Sequence, residues 1–231
     1  MRKRLSPFAV LLVWTGVRIL MGSVPLPACV RVMCMASIHM GAALLCAGRP
    51  SFAVPCRMSV LSALAGASLA LLVRTGDGYV SAETDPTGAV LAVVLIPFAE
   101  EWLFRPGVQK RCSEALGNAG GILTGGILFA LVHVSRADLV PLFLLGCMSG
   151  AVYAKSEALL PCCFMHAAYN AAMLLPGRIP ALAVCLCVPV MVLFLCMFSG
   201  SMPRSGGRRF STSEIGCLLL LAAIHIWLLW P

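Results

Sequence analysis

Up to nine mostly apolar stretches follow one another with short connections, at about 5–29, 32–48, 58–73, 87–104, 119–134, 138–154, 158–175, 180–200 and 213–230. A helix rises 1.5 Å per residue, so about 20 such residues cross a hydrocarbon core about 30 Å thick. Inside a bilayer no water satisfies the peptide groups, and each segment must pair its own, as a helix does. The expected fold is therefore all-α: a polytopic transmembrane bundle of about seven to nine helices. It fills residues 1–231 as a single membrane domain and leaves no length for a separate soluble one.

Composition agrees, because 60% of the residues are hydrophobic and only 11% charged, roughly half the charged share of a soluble domain. The net charge of +8 does not point to nucleic acid: the Lys and Arg side chains stand singly or in small groups at the ends of apolar runs, where they set topology. With the N-terminus in the cytoplasm, 12 basic residues fall inside, among them Arg49, Arg57, Arg105, Lys110, Arg111 and Lys155. Only Arg31, Arg74, Arg136 and Arg178 fall outside, as the positive-inside rule requires. Arg18 is left within the first stretch. One polar loop, Thr75 to Thr87, carries Asp77, Glu83 and Asp85.

The twelve cysteines lie mostly within apolar runs, where Cys acts as a small hydrophobe, and no C-x-x-C pair argues for zinc or redox chemistry. Met1-Arg2-Lys3-Arg4 and the apolar run after it resemble a signal sequence. Arg18 interrupts that run, which favours an uncleaved first helix.

Ionisable groups inside the apolar stretches need a reason, since each costs about 2.5 to 3.5 kcal/mol at mid-membrane on insertion scales. Pro97 to Arg105 reads P-F-A-E-E-W-L-F-R. Glu101 and Arg105 have the i, i+4 spacing of a helical ion pair. Glu100 points about 100° away from Glu101 and has no partner nearby in sequence. His133, taken alone, reads as a packing residue, whereas His166 and Asn170 share one helical face about 6 Å apart along the axis. A hairpin turning near Leu116 and Gly117 brings Glu100 and His133 to similar depth, each about 24 Å from the turn. Gly125, Gly126 and the Gly146-x-x-x-Gly150 spacing let neighbouring helices approach closely.

Glu100–Arg105 (E-E-x-x-x-R), Phe129–His133 (F-x-x-x-H) and His166–Asn170 (H-x-x-x-N), in that order, resemble the CPBP or Abi family of CAAX prenyl endopeptidases and bacteriocin-processing or self-immunity membrane proteins. The resemblance covers about residues 88–171. It implies a glutamate-type intramembrane endopeptidase: Glu100 and His133 activate water, His166 and Asn170 stabilise the oxyanion, and Glu101 and Arg105 support them. Implied with it are a peptide or protein substrate, lipidated or not, a bilayer partner, no cofactor, and a multi-pass place in the bacterial inner membrane with the N-terminus cytoplasmic. Two departures stand out. Pro106 precedes Gly107 after the Glu pair, which predicts a kink beside Arg105, and the turn Ala154-Lys155-Ser156-Glu157 lacks the Thr-Gly-Ser often seen before the third motif.

A zinc protease is the nearest rival, but no H-E-x-x-H is present and Asn is a rare zinc ligand. Ser149 could serve a serine mechanism only without the tight nucleophile turn. A proton relay in a transporter would use the same buried groups, though no internal repeat is visible. A non-enzymatic immunity protein on the same scaffold is a further alternative. Access to the site is expected from the cation-rich face of Lys110, Arg111 and Lys155.

Overall fold

The computed structural model describes residues 5–74, 86–133, 137–175, 181–198 and 207–229. Among them lie nine α-helices: α1 (Pro7–Gly22), α2 (Ala28–Cys46), α3 (Cys56–Val73), α4 (Pro86–Leu103), α5 (Lys110–Leu131), α6 (Leu139–Ser156), α7 (Leu160–Met173), α8 (Ala181–Phe198) and α9 (Thr212–Leu229). Strands are absent from the described residues; a lone bridge joins Ser51 to Ala158. Asp77, Glu83, Asp85, Arg136 and Arg178 lie outside the described residues, as does the basic N-terminal tetrapeptide. The first apolar stretch ends earlier than expected, at Gly22, because Pro25 and Pro27 hold the residues before them extended. Pro27 then caps α2.

The exterior is apolar: Trp227 is 75% exposed, Val13 69% and Leu219 68%. Such a surface suits lipid and not water. Four helical stretches are long and apolar enough to cross a membrane, and α1, the Cys185–Met197 part of α8 and most of α9 are shorter apolar ones. The chain is an integral membrane protein. Its core draws on all nine described helices, from Phe8, Leu11 and Trp14 of α1 to Leu221 of α9.

The central feature is a long hairpin. α4 runs through a π turn, Phe104–Gln109, directly into α5, so the expected kink at Pro106 appears instead as a local widening. Proline has no N–H to donate and crowds the carbonyl four residues back, and a π turn relieves both problems. The helical run breaks at Gly117, where φ is 76° and ψ 169°, a conformation that glycine adopts without steric cost. The chain then folds back on itself. A Cβ on Gly121 would lie 2.0 Å from Ser113 Oγ, and one on Gly125 3.4 Å from Gln109 Cβ. The guanidinium of Arg105 lies over the Phe129 ring at 5.8 Å. Pairs 113/121, 109/125 and 105/129 keep one register about Gly117, and its next step sets His133 opposite the glutamate pair.

α6 packs on the return arm through glycine, since a Cβ on Gly146 would fall 2.9 Å from Gly126 Cα. α3 lies along α7 with equal intimacy: a Cβ on Gly66 would stand 2.0 Å from the Met165 carbonyl oxygen. That contact fixes the backbone next to His166. The α6–α7 turn manages without Thr-Gly-Ser, because Glu157 adopts a left-handed φ of 50° and the Ser156 hydroxyl accepts from Ala158 N at 3.1 Å.

Two basic residues assigned to connections are buried instead. Arg105 is fully enclosed, and Arg111 pairs with Glu214 at 2.6 Å. Both therefore drop out as topology signals, and the inside count falls from 12 to 10. The asymmetry survives.

Candidate active site

Two adjacent carboxylates on α4 have opposite surroundings. Glu101, fully buried, is saturated with donors. Arg105 Nε donates to Oε2 at 2.6 Å and Arg105 Nη2 approaches Oε1 at 3.5 Å. Ser149 Oγ donates to Oε2 at 2.7 Å, and His166 Nδ1 lies 3.1 Å from Oε1. The ion pair expected from the i, i+4 spacing is present. It continues outward: Arg105 Nη1 donates to Gln109 Oε1 and Gly146 O at 2.9 and 3.0 Å, and Gln109 Nε2 donates to Gly150 O at 2.8 Å. The Arg105 guanidinium thus locks α4 to α6. Ser149, weighed above as a nucleophile, spends its hydroxyl on this network and is fully buried.

Glu100, rotated about 100° around the helix, meets imidazoles instead. Its Oε2 lies 3.6 Å from His133 Nε2 and 3.8 Å from His166 Nε2, and its Oε1 lies 3.3 Å from His39 Nε2. No hydrogen bond reaches Oε2 although the atom is buried. Separations of this length between polar groups are what a bridging water fills.

Tautomers follow from the second ring nitrogen of each histidine. His133 Nδ1 sits 2.7 Å from the Phe129 carbonyl oxygen, four residues back, and a carbonyl only accepts, so Nδ1 carries a hydrogen. Neutral His133 then presents a bare lone pair at Nε2. His166 directs Nδ1–H at the Glu101 carboxylate, and only a doubly protonated ring could also donate from Nε2. Asn170 donates Nδ2–H to Ala92 O at 3.0 Å and has a second amide hydrogen to offer.

Glu100, His133, His166 and Asn170 line one cavity of about 470 Å³, while Glu101 and Arg105 lie behind it. Convergence of the four is therefore observed. The opening is not where it was expected. Met21, Arg31, Asp138 and Met173 also line the cavity, and all lie at the end opposite Lys110 and Arg111. The reason is the length of the first hairpin arm: Pro86 to Leu116 is far longer than a bilayer requires, so Glu100 falls in its first half and His133 at the far end of the return arm. Among the described residues no group of three or more His, Cys, Asp and Glu side chains has a metal-holding arrangement.

Sequence reasoning missed His39. Its signal was available, an ionisable side chain in the middle of an apolar run, but without a motif around it.

A membrane-embedded helical bundle thus encloses carboxylates, imidazoles and an amide around one cavity. Residues 83–172 match the family model described as Rce1-like, type II CAAX prenyl endopeptidase. Over that segment the CPBP resemblance is borne out: the matched part of the chain is similar to CAAX-type intramembrane proteases. No curated protein and no solved structure matches it.

Proposed function

We propose that the chain is an intramembrane endopeptidase that hydrolyses a peptide bond with water activated by Glu100 and His133. The observation that carries this reading is the unpartnered Glu100 Oε2 beside two imidazole Nε2 atoms at the cavity wall. A water on the cavity side of these groups gives one hydrogen to Glu100 Oε2 and aims another at the His133 lone pair. Glu100 removes a proton as the water oxygen bonds to the substrate carbonyl carbon. The developing oxyanion takes hydrogen bonds from protonated His166 Nε2 and from the second Asn170 amide hydrogen. Collapse of the tetrahedral intermediate breaks the C–N bond, and the proton held by Glu100 passes to the departing amine. Glu101 keeps the His166 imidazolium in place, and Arg105 keeps Glu101 in place. No metal enters any of these steps.

The asymmetry of basic residues supports a cytoplasmic N-terminus in a cytoplasmic membrane, with the Arg49, Lys110 and Lys155 end inside. The cavity then opens on the other side, and a peptide end or juxtamembrane segment enters past Arg31 and Asp138. Purified protein in detergent, offered a peptide library, should release defined products that a Glu100→Gln variant does not. Identical product patterns from both proteins would refute the reading.

A further inference from the structure

We propose that His39 of α2 is a positioning residue that holds the Glu100 carboxylate, so that the site is completed from outside the 83–172 segment. The inference rests on the protease reading above. His39 is 1% exposed and its Nε2 lies 3.3 Å from Glu100 Oε1. Its Nδ1 is 2.6 Å from the Met35 carbonyl oxygen, which accepts only, so Nδ1 carries a hydrogen. A neutral ring would then turn a lone pair toward a carboxylate oxygen, which repels. A protonated ring turns an N–H toward it and attracts. That nitrogen makes no hydrogen bond of normal geometry, and its ion-pair contact is Glu100 Oε1.

The ring is itself braced. Trp14 of α1 packs edge-on against it with centroids 4.7 Å apart. Arg18, one turn further, lies 5.5 Å over the Trp14 ring and donates to the carbonyl oxygens of Val132 and His133. Arg18 thus ties the brace to the end of α5 that bears His133. The charged and titratable groups around the carboxylate are therefore Arg18 from α1, His39 from α2, His133 from the turn that ends α5 and His166 from α7. The His39 contact on Oε1 restrains the terminal torsion of the carboxylate, which keeps Oε2 aimed at water between His133 and His166. A free torsion there is broad and roughly two-fold, which would leave the base misaligned part of the time.

The test uses the full chain in detergent. A misplacement of about 1 Å costs about a hundredfold in rate, so His39→Ala should lower kcat toward that extent with KM within about twofold, while the protein stays monodisperse. His39→Gln, which keeps a donor near the Nε2 position, should restore most of kcat. Unchanged kcat in His39→Ala, or equal losses in His39→Ala and His39→Gln, would overturn the proposal. A second readout needs no substrate: in chain labelled with ¹⁵N-histidine, Glu100→Gln should move the His39 ring ¹⁵N resonances, because it changes the group that Nε2 faces. Unmoved resonances overturn the proposal whatever the turnover. A chain that cleaves nothing yet shows the resonance change supports the His39–Glu100 coupling and sinks the protease reading alone.

Discussion

Removing the Arg105 guanidinium separates the structural carboxylate from the reactive one. The side chain is fully buried, bonds Glu101 through Nε at 2.6 Å, and satisfies Gln109 and the Gly146 carbonyl through Nη1. Arg105→Ala strands a buried carboxylate, which costs about 3 to 5 kcal/mol, and leaves two acceptors without their donor. Total stability of a domain is about 5 to 15 kcal/mol, so this one substitution removes a large share of it. Replacing both partners, as in Glu101→Gln with Arg105→Met, removes the stranded charge and should recover much of the loss. The assay is the melting midpoint and monodisperse yield in detergent for the two single variants and the double. Glu100→Gln serves as the contrast: it leaves the Arg105 network intact and should melt like the parent protein while losing turnover. Arg105→Ala with unchanged melting would refute the assignment, and so would a double variant no more stable than Arg105→Ala alone.

Turnover is expected to survive EDTA and phenanthroline; a rate lost to chelator and restored by zinc would replace the water-and-glutamate scheme with a metal one. Gly66→Ala drives a methyl group to within 2.0 Å of the Met165 carbonyl oxygen, so α3 and α7 must separate and folded yield should fall sharply; wild-type yield and activity would show that the contact is looser than described. In cells, with native reactive cysteines replaced, Asp138→Cys should react with a membrane-impermeant thiol reagent added outside while Lys110→Cys should not. The reverse pattern would turn the cavity toward the cytoplasm.

The hairpin was readable because its determinants are local. Gly117 breaks the helix, and equal arm lengths follow from counting residues on either side. The Glu101–Arg105 pair was readable for the same reason, as was the close packing at Gly126 and Gly146. What escaped the sequence depends on contacts across the bundle. Arg105 looked like a loop cation because its apolar stretch appeared to end there, yet the chain continues through a π turn that keeps Arg105 to Gln109 inside. Arg111 looked like a second one, and its partner Glu214 lies 103 residues away. His39 carried the same signal as His133, a lone histidine in an apolar run, but its meaning depends on α2 packing beside α4. The side on which the cavity opens could not be read from the turn at Gly117, since the depth of Glu100 depends on how far the hairpin projects beyond the membrane.

The two glutamates show how one pair of neighbours divides its work. In lipid every ionised group needs partners, and Glu101 has them on Arg105, Ser149 and His166. Its fourfold satisfaction makes it a poor base, because taking a proton would disrupt contacts that hold α4, α6 and α7 together. Glu100 has His39 beside Oε1 at 3.3 Å, but the imidazoles of His133 and His166 stand 3.6 and 3.8 Å from Oε2, too far to satisfy that oxygen. An under-satisfied carboxylate is costly in a static fold and useful in a reacting one, because the missing hydrogen bond is the one water supplies. Exchanging the environments should therefore exchange the tolerances: Glu101→Gln harms folding more than chemistry, and Glu100→Gln the reverse. The ratio of yield loss to rate loss for each variant measures that division, and equal ratios would mean that the two carboxylates act as one group.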